Sequence, residues 1–218
     1  MKLPSFLLLA CILARLVAVD LPMPAQVVRA DNGLRIDNAS VTSETLDQIE
    51  YAIGGAGQAS TSLKRALIAQ VVYGEVSDTD MAKADGFAAQ KKPEKAAPAY
   101  AQAAVSSSYW RNRELAYVLA AEAFIQIGKP TEAIKALADL EAKAPRSTFL
   151  PRAHGLRVKI LVAQGDRPAA LAAITALAAF DKVRAAVAKA DLLRADKKPV
   201  EAATELATIW GTLLKPES

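Results

Sequence analysis

The chain has 218 residues and a formal charge of +4; 52% of its residues are hydrophobic, 23% charged and 6% aromatic. Such a balance supports a sizeable buried core and excludes a disordered polyelectrolyte. The basic pairs Lys91-Lys92 and Lys197-Lys198 stand beside prolines, and no basic stripe alternates with aromatics, so nucleic acid is not an expected partner.

Lys2 precedes the apolar run Leu3–Ala14, and small residues follow. That order is the one of a secretory signal peptide. Arg15 and Asp20 interrupt the continuation, which leaves Leu3–Val19 short of the roughly 20 apolar residues of a membrane span. Residues 1–25 are expected to be the signal, cut after Ala25, with Ala30 the alternative last residue. The chain is thus expected to be exported, periplasmic or extracellular, with no integral membrane span after processing and a membrane anchor only if the signal is retained. The single cysteine, Cys11, lies in this segment, so no disulfide forms within the chain. Leu8-Leu9-Ala10-Cys11 resembles a lipoprotein box superficially, but the apolar stretch ahead of it is short and Lys2 is close. An ordinary apolar signal residue is the preferred reading.

Residues 26–76 read as β. Gln26–Arg29 is a short apolar-polar run, and Asp31-Asn32-Gly33 is a hairpin turn signal. Leu34–Val41 and Thr45–Ile53 alternate, Gly54-Gly55-Ala56-Gly57 is a turn, and Ser60–Leu63 is a further strand. Lys64–Ile68 fits one helical turn, and Gln70–Tyr73 is a last strand. Short strands at this spacing predict a small closed or half-closed barrel. The pattern is similar to Sm-like or SH3-like small barrels. The glycine cluster also supports a rival reading, in which Ile49–Ile53, the glycine turn and Ser60–Gln70 form the strand, turn and helix of a nucleotide-binding unit. Against it, Ser60 stands where the third glycine belongs, no Lys-Ser/Thr pair follows, and Val71–Tyr73 alone cannot build a parallel sheet. The hairpin turn is preferred, and a nucleotide-binding enzyme ranks last.

From about Asp80 to Leu214 the hydrophobic period becomes helical. Four segments overlay on a turn followed by alanine, at Ala96, Ala133, Ala170 and Ala202. A large residue follows in each copy (Tyr100, Leu137, Ile174, Leu206), and then Ala103, Leu140, Leu177 and Ile209, all on one face of a second helix. Before each alanine stand Phe87, Phe124, Leu161 and Leu193, preceded by Ala84, Ala121, Val158 and Ala190, on one face of a first helix. Pro93, Pro130, Pro168 and Pro199 start the second helices, where a missing N–H leaves no bond unmade.

These slots resemble the tetratricopeptide repeat (TPR), whose period is about 34 residues. Pro145 sits at the family's closing proline in the second unit. Lys91 and Lys197 replace the turn glycine in two units, and Tyr117, His154 and Ala186 fill the family's tryptophan slot. The expected fold is mainly α: a TPR-like helical-hairpin array over 77–218 behind a small β-barrel-like domain over 26–76. The resemblance implies that the first helices line a concave surface holding a protein or peptide partner. Carried over, it puts Asp85, Glu122, Lys159 and Asp191 on that groove, with Arg152, Arg184 and Arg194 nearby. Because the signs differ between units, the expected partner is of mixed charge.

No catalytic set is legible, and no cofactor or metal is expected. His154, the only histidine, falls in a slot that packs between helices, and no second histidine or retained cysteine accompanies it. The acidic pairs Glu201/Glu205 and Asp139/Glu141 read as solvated helix faces, Ser106-Ser107-Ser108 as a connector and Trp110 as a packing residue at a helix start. The chain reads as a non-enzymatic binding or scaffold protein, with a self-assembling envelope component as the alternative. The last helix, about Pro199–Leu214, carries a second apolar stripe, Ala203, Ala207, Trp210 and Leu214, beside its core stripe. With no capping helix after it, that stripe is expected to make a contact, a homodimer through the C-terminal helix or a docked partner, unless Trp210 folds back on the third unit.

Overall fold

The computed structural model describes residues 20–54 and 58–213. The first element is an antiparallel sheet of β1 (Met23–Arg29), β2 (Arg35–Glu44), β3 (Gln48–Ile53), β4 (Thr61–Lys64) and β5 (Ile68–Tyr73), in the order β4-β3-β2-β1-β5. Alternation sets its inner face: Met23, Ala25 and Val27 of β1 are buried, as are Ala39 and Val41 of β2 and Ile49 and Tyr51 of β3. Gly33 takes φ +68° in the β1–β2 turn, where the Leu34 carbonyl accepts from the Arg29 N–H at 2.9 Å and Asn32 Oδ1 accepts from the Leu34 N–H at 2.9 Å.

One expectation about this region is corrected. The sheet is open and not a closed barrel, because β4 pairs only with β3 and β5 only with β1. β4 has four residues, and the single 3-10 turn Arg65–Leu67 then carries the chain to the far edge, where β5 joins β1. A turn, and not a ladder, links the two edges. The strand-turn-helix of the rival reading does not form either. β4 returns antiparallel along β3, from Tyr51 opposite Thr61 to Gln48 opposite Lys64, and Ser60–Gln70 contains no α-helix. Gly54 takes φ +90° at the head of that turn.

β1 begins upstream of the expected Gln26 boundary. Met23 pairs with Val41, Pro24 with Ser40, and Ala25 with both Ala39 and Tyr73; a cut after Ala25 would remove these residues from the middle of the sheet. The apolar run and Cys11 lie outside the described residues.

Four helical hairpins follow: α1 (Thr79–Ala89) with α2 (Pro93–Ser106), α3 (Trp110–Gln126) with α4 (Pro130–Lys143), α5 (Leu150–Ala163) with α6 (Arg167–Ala178), and α7 (Lys182–Ala195) with α8 (Pro199–Leu213). Each first helix ends in the same way. Lys91, Gly128, Gly165 and Lys197 take φ +55°, +70°, +73° and +58°. In each case the next residue's N–H reaches back to Phe87, Phe124, Leu161 or Leu193, at 2.9–3.1 Å. This is the Schellman closure, which satisfies carbonyls left open at a helix end. The slots read from sequence are packed: Ala96, Ala133, Ala170 and Ala202 are at most 2% exposed, and Tyr100, Leu137 and Ile174 at most 5%.

The sheet shares its core with the array. Trp110, the first residue of α3, sits among Met23, Val27, Val41 and Ile49, and its indole N–H donates to the Val41 carbonyl at 3.1 Å. Asp78 caps α1 and ties it to α3: its carboxylate accepts from the Met81 N–H, the Ser107 hydroxyl and the Asn112 amide. Burial pushes this carboxyl up, but those hydrogen bonds outweigh it and hold the group below its ordinary value.

The two lysines in left-handed turns carry a strain that glycine does not. Lys91→Gly and Lys197→Gly are each expected to raise unfolding stability by about 0.5–1 kcal/mol in urea titrations. Gly128→Ala is expected to lower it by about 1 kcal/mol, and since a methyl there meets nothing within 4 Å, that loss reports backbone strain alone.

Candidate functional site

Along the array α3 packs beside α5, and α5 beside α7, so the first helices of successive hairpins form one continuous face. Between α5 and α7 that face opens into a groove of about 460 Å³. Its floor is apolar: Val158 and Val162 of α5, Leu177 of α6, and Val183, Val187 and Ala188 of α7. Gly155 on α5 adds no side chain, and a methyl there would meet nothing within 4 Å. Lys159, Arg184 and Asp191 complete the lining as its charged members. A few charges around an apolar floor fix the orientation of a ligand whose burial supplies the attraction.

The structure distributes the eight residues expected to bind a partner over four places. Lys159, Arg184 and Asp191 meet in this groove, and Arg194 pairs with Asp191 at 3.2 Å. Arg184 also lies 3.2 Å from Asp181, the residue that caps α7. Glu122 and Arg152 form a bridge from α3 to α5, with both guanidinium bonds in place at 2.9 and 2.7 Å. Asp85 is drawn towards α2, where it accepts from the Tyr100 hydroxyl at 2.7 Å; burial first, and then this bond, push the Tyr100 phenol up. Trp210 stands apart on α8, 63% exposed, so it does not fold back on the third hairpin.

The sequence did not disclose the groove floor. Val183 and Val187 lie one turn apart on α7, away from its buried Ala186 and Ala190, and are 40% and 45% exposed. A second apolar pair on a helix whose core face is already accounted for was the available signal.

The acidic pairs are each engaged by cations: Asp139 by Lys135 at 2.7 Å, Glu141 by Arg157 at 2.9 Å, Glu205 by Lys189 at 2.8 Å and Glu201 by Lys198 at 3.2 Å. Ser107 ends the first unit with its hydroxyl given to Asp78. Polar groups also collect where the sheet meets the array. Buried Glu44 accepts from the Tyr73 hydroxyl at 2.6 Å and pairs with Arg65 at 3.0 Å. Glu114 accepts from Ser147 at 2.6 Å, and burial raises its carboxyl above the ordinary value. Arg111 stacks over the Tyr73 ring at 4.2 Å.

His154 is 3% exposed and stacks on Phe180 with ring centroids 4.9 Å apart. Its Nδ1 has no hydrogen-bond partner, and the Glu141 carboxylate is 3.9 Å from Nε2. It is therefore a packing residue. Burial lowers its pKa, Glu141 opposes the shift, and Arg157 adds to it.

Among the described residues no helix is long and apolar enough to cross a membrane. No protein-family model matches the chain, and a search of curated proteins finds no match.

The depressed His154 pKa fixes a pH dependence. Above the ordinary value of 6.5 the histidine is neutral in both states; below it the unfolded chain takes up a proton that the folded chain resists. Stability is thus expected to fall as pH drops through 6.5 and to level off below the folded pKa. His154→Phe, which keeps the stack on Phe180, should remove that slope in denaturant titrations between about pH 7.5 and 5.5.

Proposed function

We propose that this chain is a TPR-like binding module, an exported and non-enzymatic scaffold that holds a protein or peptide partner in the groove between α5 and α7. The observation that carries the proposal is the groove itself, an apolar floor on successive first helices with Lys159, Arg184 and Asp191 beside it. Four hairpins with one turn geometry, and one register of buried second-helix slots through the first three, support the repeat assignment. Hairpins that stack on nearest neighbours form extended inner surfaces, and such surfaces suit extended segments of other chains.

The chemistry of the floor selects the partner. Val158, Val162, Val183 and Val187 favour a segment with aliphatic or aromatic side chains on one side. Arg184 and Asp191 already have neighbours of opposite charge, whereas Lys159 has no ion-pair partner among the described residues. The segment therefore gains most from a carboxylate set beside Lys159. The sheet supports an Sm-like or SH3-like resemblance through its four-strand meander and a last strand that crosses to the free edge of β1. In this proposal the sheet braces the array through Trp110 and does not contribute to the groove. The alternative, a self-assembling envelope component, draws on a different face, the end formed by α7 and α8.

Display selection of random peptides on the purified protein tests the proposal, followed by calorimetry on the enriched sequences. Peptides rich in apolar residues with an acidic group should emerge. Val162→Glu should weaken them about tenfold or more, because it sets a charge in the floor. Lys159→Glu should shift the selection away from acidic peptides, and Thr175→Glu, on α6 and outside the groove, should change nothing. Failure to enrich any peptide, or binding indifferent to Val162→Glu, would reject the groove as the site.

A further inference from the structure

One buried polar atom of the array has no partner. Nδ1 of His154, on α5, makes no hydrogen bond, although the residue is 3% exposed. Buried polar groups are nearly always paired, so an orphan calls for a reason. The imidazole stacks on Phe180 with the ring planes 18° apart, and Phe180 is itself 38% exposed. On that side the histidine is screened from water by a ring that stands at the surface. Phe180 lies in the short link 179–181 between α6 and α7. Its N–H donates to the Leu177 carbonyl at 3.0 Å, and the next residue, Asp181, caps α7 by accepting from the Arg184 N–H at 2.9 Å. The helix α7 therefore starts directly from the corner that rests on His154. Val183, Arg184 and Val187, in its first two turns, line the α5–α7 groove.

We propose that the stack of His154 on Phe180 is an acid-released latch. Closed, it pins the α6–α7 corner to α5 and fixes the width of the groove; protonation of the imidazole opens it. As regulation of that groove the proposal rests on the groove being the binding site, whereas the latch itself does not.

A proton added to the latched ring has poor surroundings. Glu141 of α4 lies 3.9 Å from Nε2, but Arg157 already holds that carboxylate at 2.9 Å, and Arg157, on α5 itself, repels an imidazolium. At the corner Asp181 is turned to Arg184, at 3.2 Å. A proton on Nδ1 meets no acceptor among the described residues. An imidazolium over the Phe180 face gains a cation–π attraction, but a buried charged donor without an acceptor costs more. Swinging Phe180 aside gives the ring to water. The open form thus binds the proton more tightly than the latched form, whose pKa burial holds below the ordinary 6.5. Above 6.5 the ring is neutral in both forms and the latch is at full strength. As pH falls through 6.5 the balance shifts towards the open form, about tenfold for each pH unit, and the shift ends below the latched pKa.

His154 is the only histidine, so its Cε1–H resonance in the full chain reports this site alone. Followed by NMR from about pH 8 to 5, it is expected to titrate below 6.5, and the Val183 and Val187 amides should move with the same midpoint. Overhauser contacts across the floor, from Val158 or Val162 to Val183 or Val187, should weaken on the acid side. Phe180→Ala should bring the histidine midpoint back towards 6.5, and if that variant fails to fold, Phe180→Leu decides by the same shift. In His154→Phe the α7 amides should stay still over this range. A midpoint at or above 6.5 in the unmodified protein overturns the latch, and so do α7 amides that ignore the histidine or still move in His154→Phe. None of these readouts needs a peptide, so the latch and the groove's binding role stand or fall separately.

Discussion

Two helices cross closely only where short side chains lie between them, and each hairpin of this chain meets that condition at one place. The small residues of the two facing slots, Ala84 and Ala96, Ala121 and Ala133, Val158 and Ala170, and Ala190 and Ala202, are all at most 3% exposed. Close crossing inside a hairpin leaves the larger residues to the surfaces between hairpins. Tyr100, Leu137, Ile174, Leu140 and Leu177 accordingly pack between units, where burial stabilises stacking. The Schellman closures at Lys91, Gly128, Gly165 and Lys197 hold each pair at one angle. Repeating one crossing and one turn places α3, α5 and α7 in a row, and the groove is a consequence of that row.

The sheet is tied into this scheme at one point of the array. Trp110 is both the first residue of α3 and a core residue of the sheet. Around it the polar contacts are long in sequence: Ser147 with Glu114, Arg146 with Asp47, and an isolated bridge between Thr45 and Ser147. The second hairpin is thus braced from the sheet side, whereas among the described residues α7 and α8 pack mainly on neighbouring helices. The groove between α5 and α7 lies at that end.

Much of this was legible in the sequence because the signals are local. Proline at the start of a second helix, a small residue at the crossing and a large one a turn later are fixed by geometry within a hairpin; the small slots and the large second-helix slots up to Leu177 are buried as read, while Phe87, Phe124 and Leu161 are partly buried. The Asp31-Asn32-Gly33 turn and the helical turn before β5 were legible for the same reason. What escaped depends on distant partners. An open sheet and a closed barrel share their strands and turns, and differ only in whether β4 meets β5. Trp110 read as a helix-start residue because nothing nearby in sequence announces Val41 as its acceptor. The groove was half legible: the charges Lys159, Arg184 and Asp191 follow from the register, but its floor needs the spacing between α5 and α7. Glu122 and Asp85 were placed on the right helices and are engaged by Arg152 and Tyr100.

The close crossing is the claim on which stacking and groove both rest, and one substitution addresses it. Ala133→Leu adds bulk between α3 and α4 at a fully buried position, while Ala138→Leu adds the same bulk at an exposed position of the same helix. Thermal unfolding of the two variants compares them directly. The account predicts that Ala133→Leu lowers stability by about 1–3 kcal/mol, a fall of roughly 2–12 °C in Tm, and that Ala138→Leu stays within about half a kcal/mol. Equal unfolding temperatures for the two would contradict it, because helices that accept a leucine at that crossing are not held by its closeness.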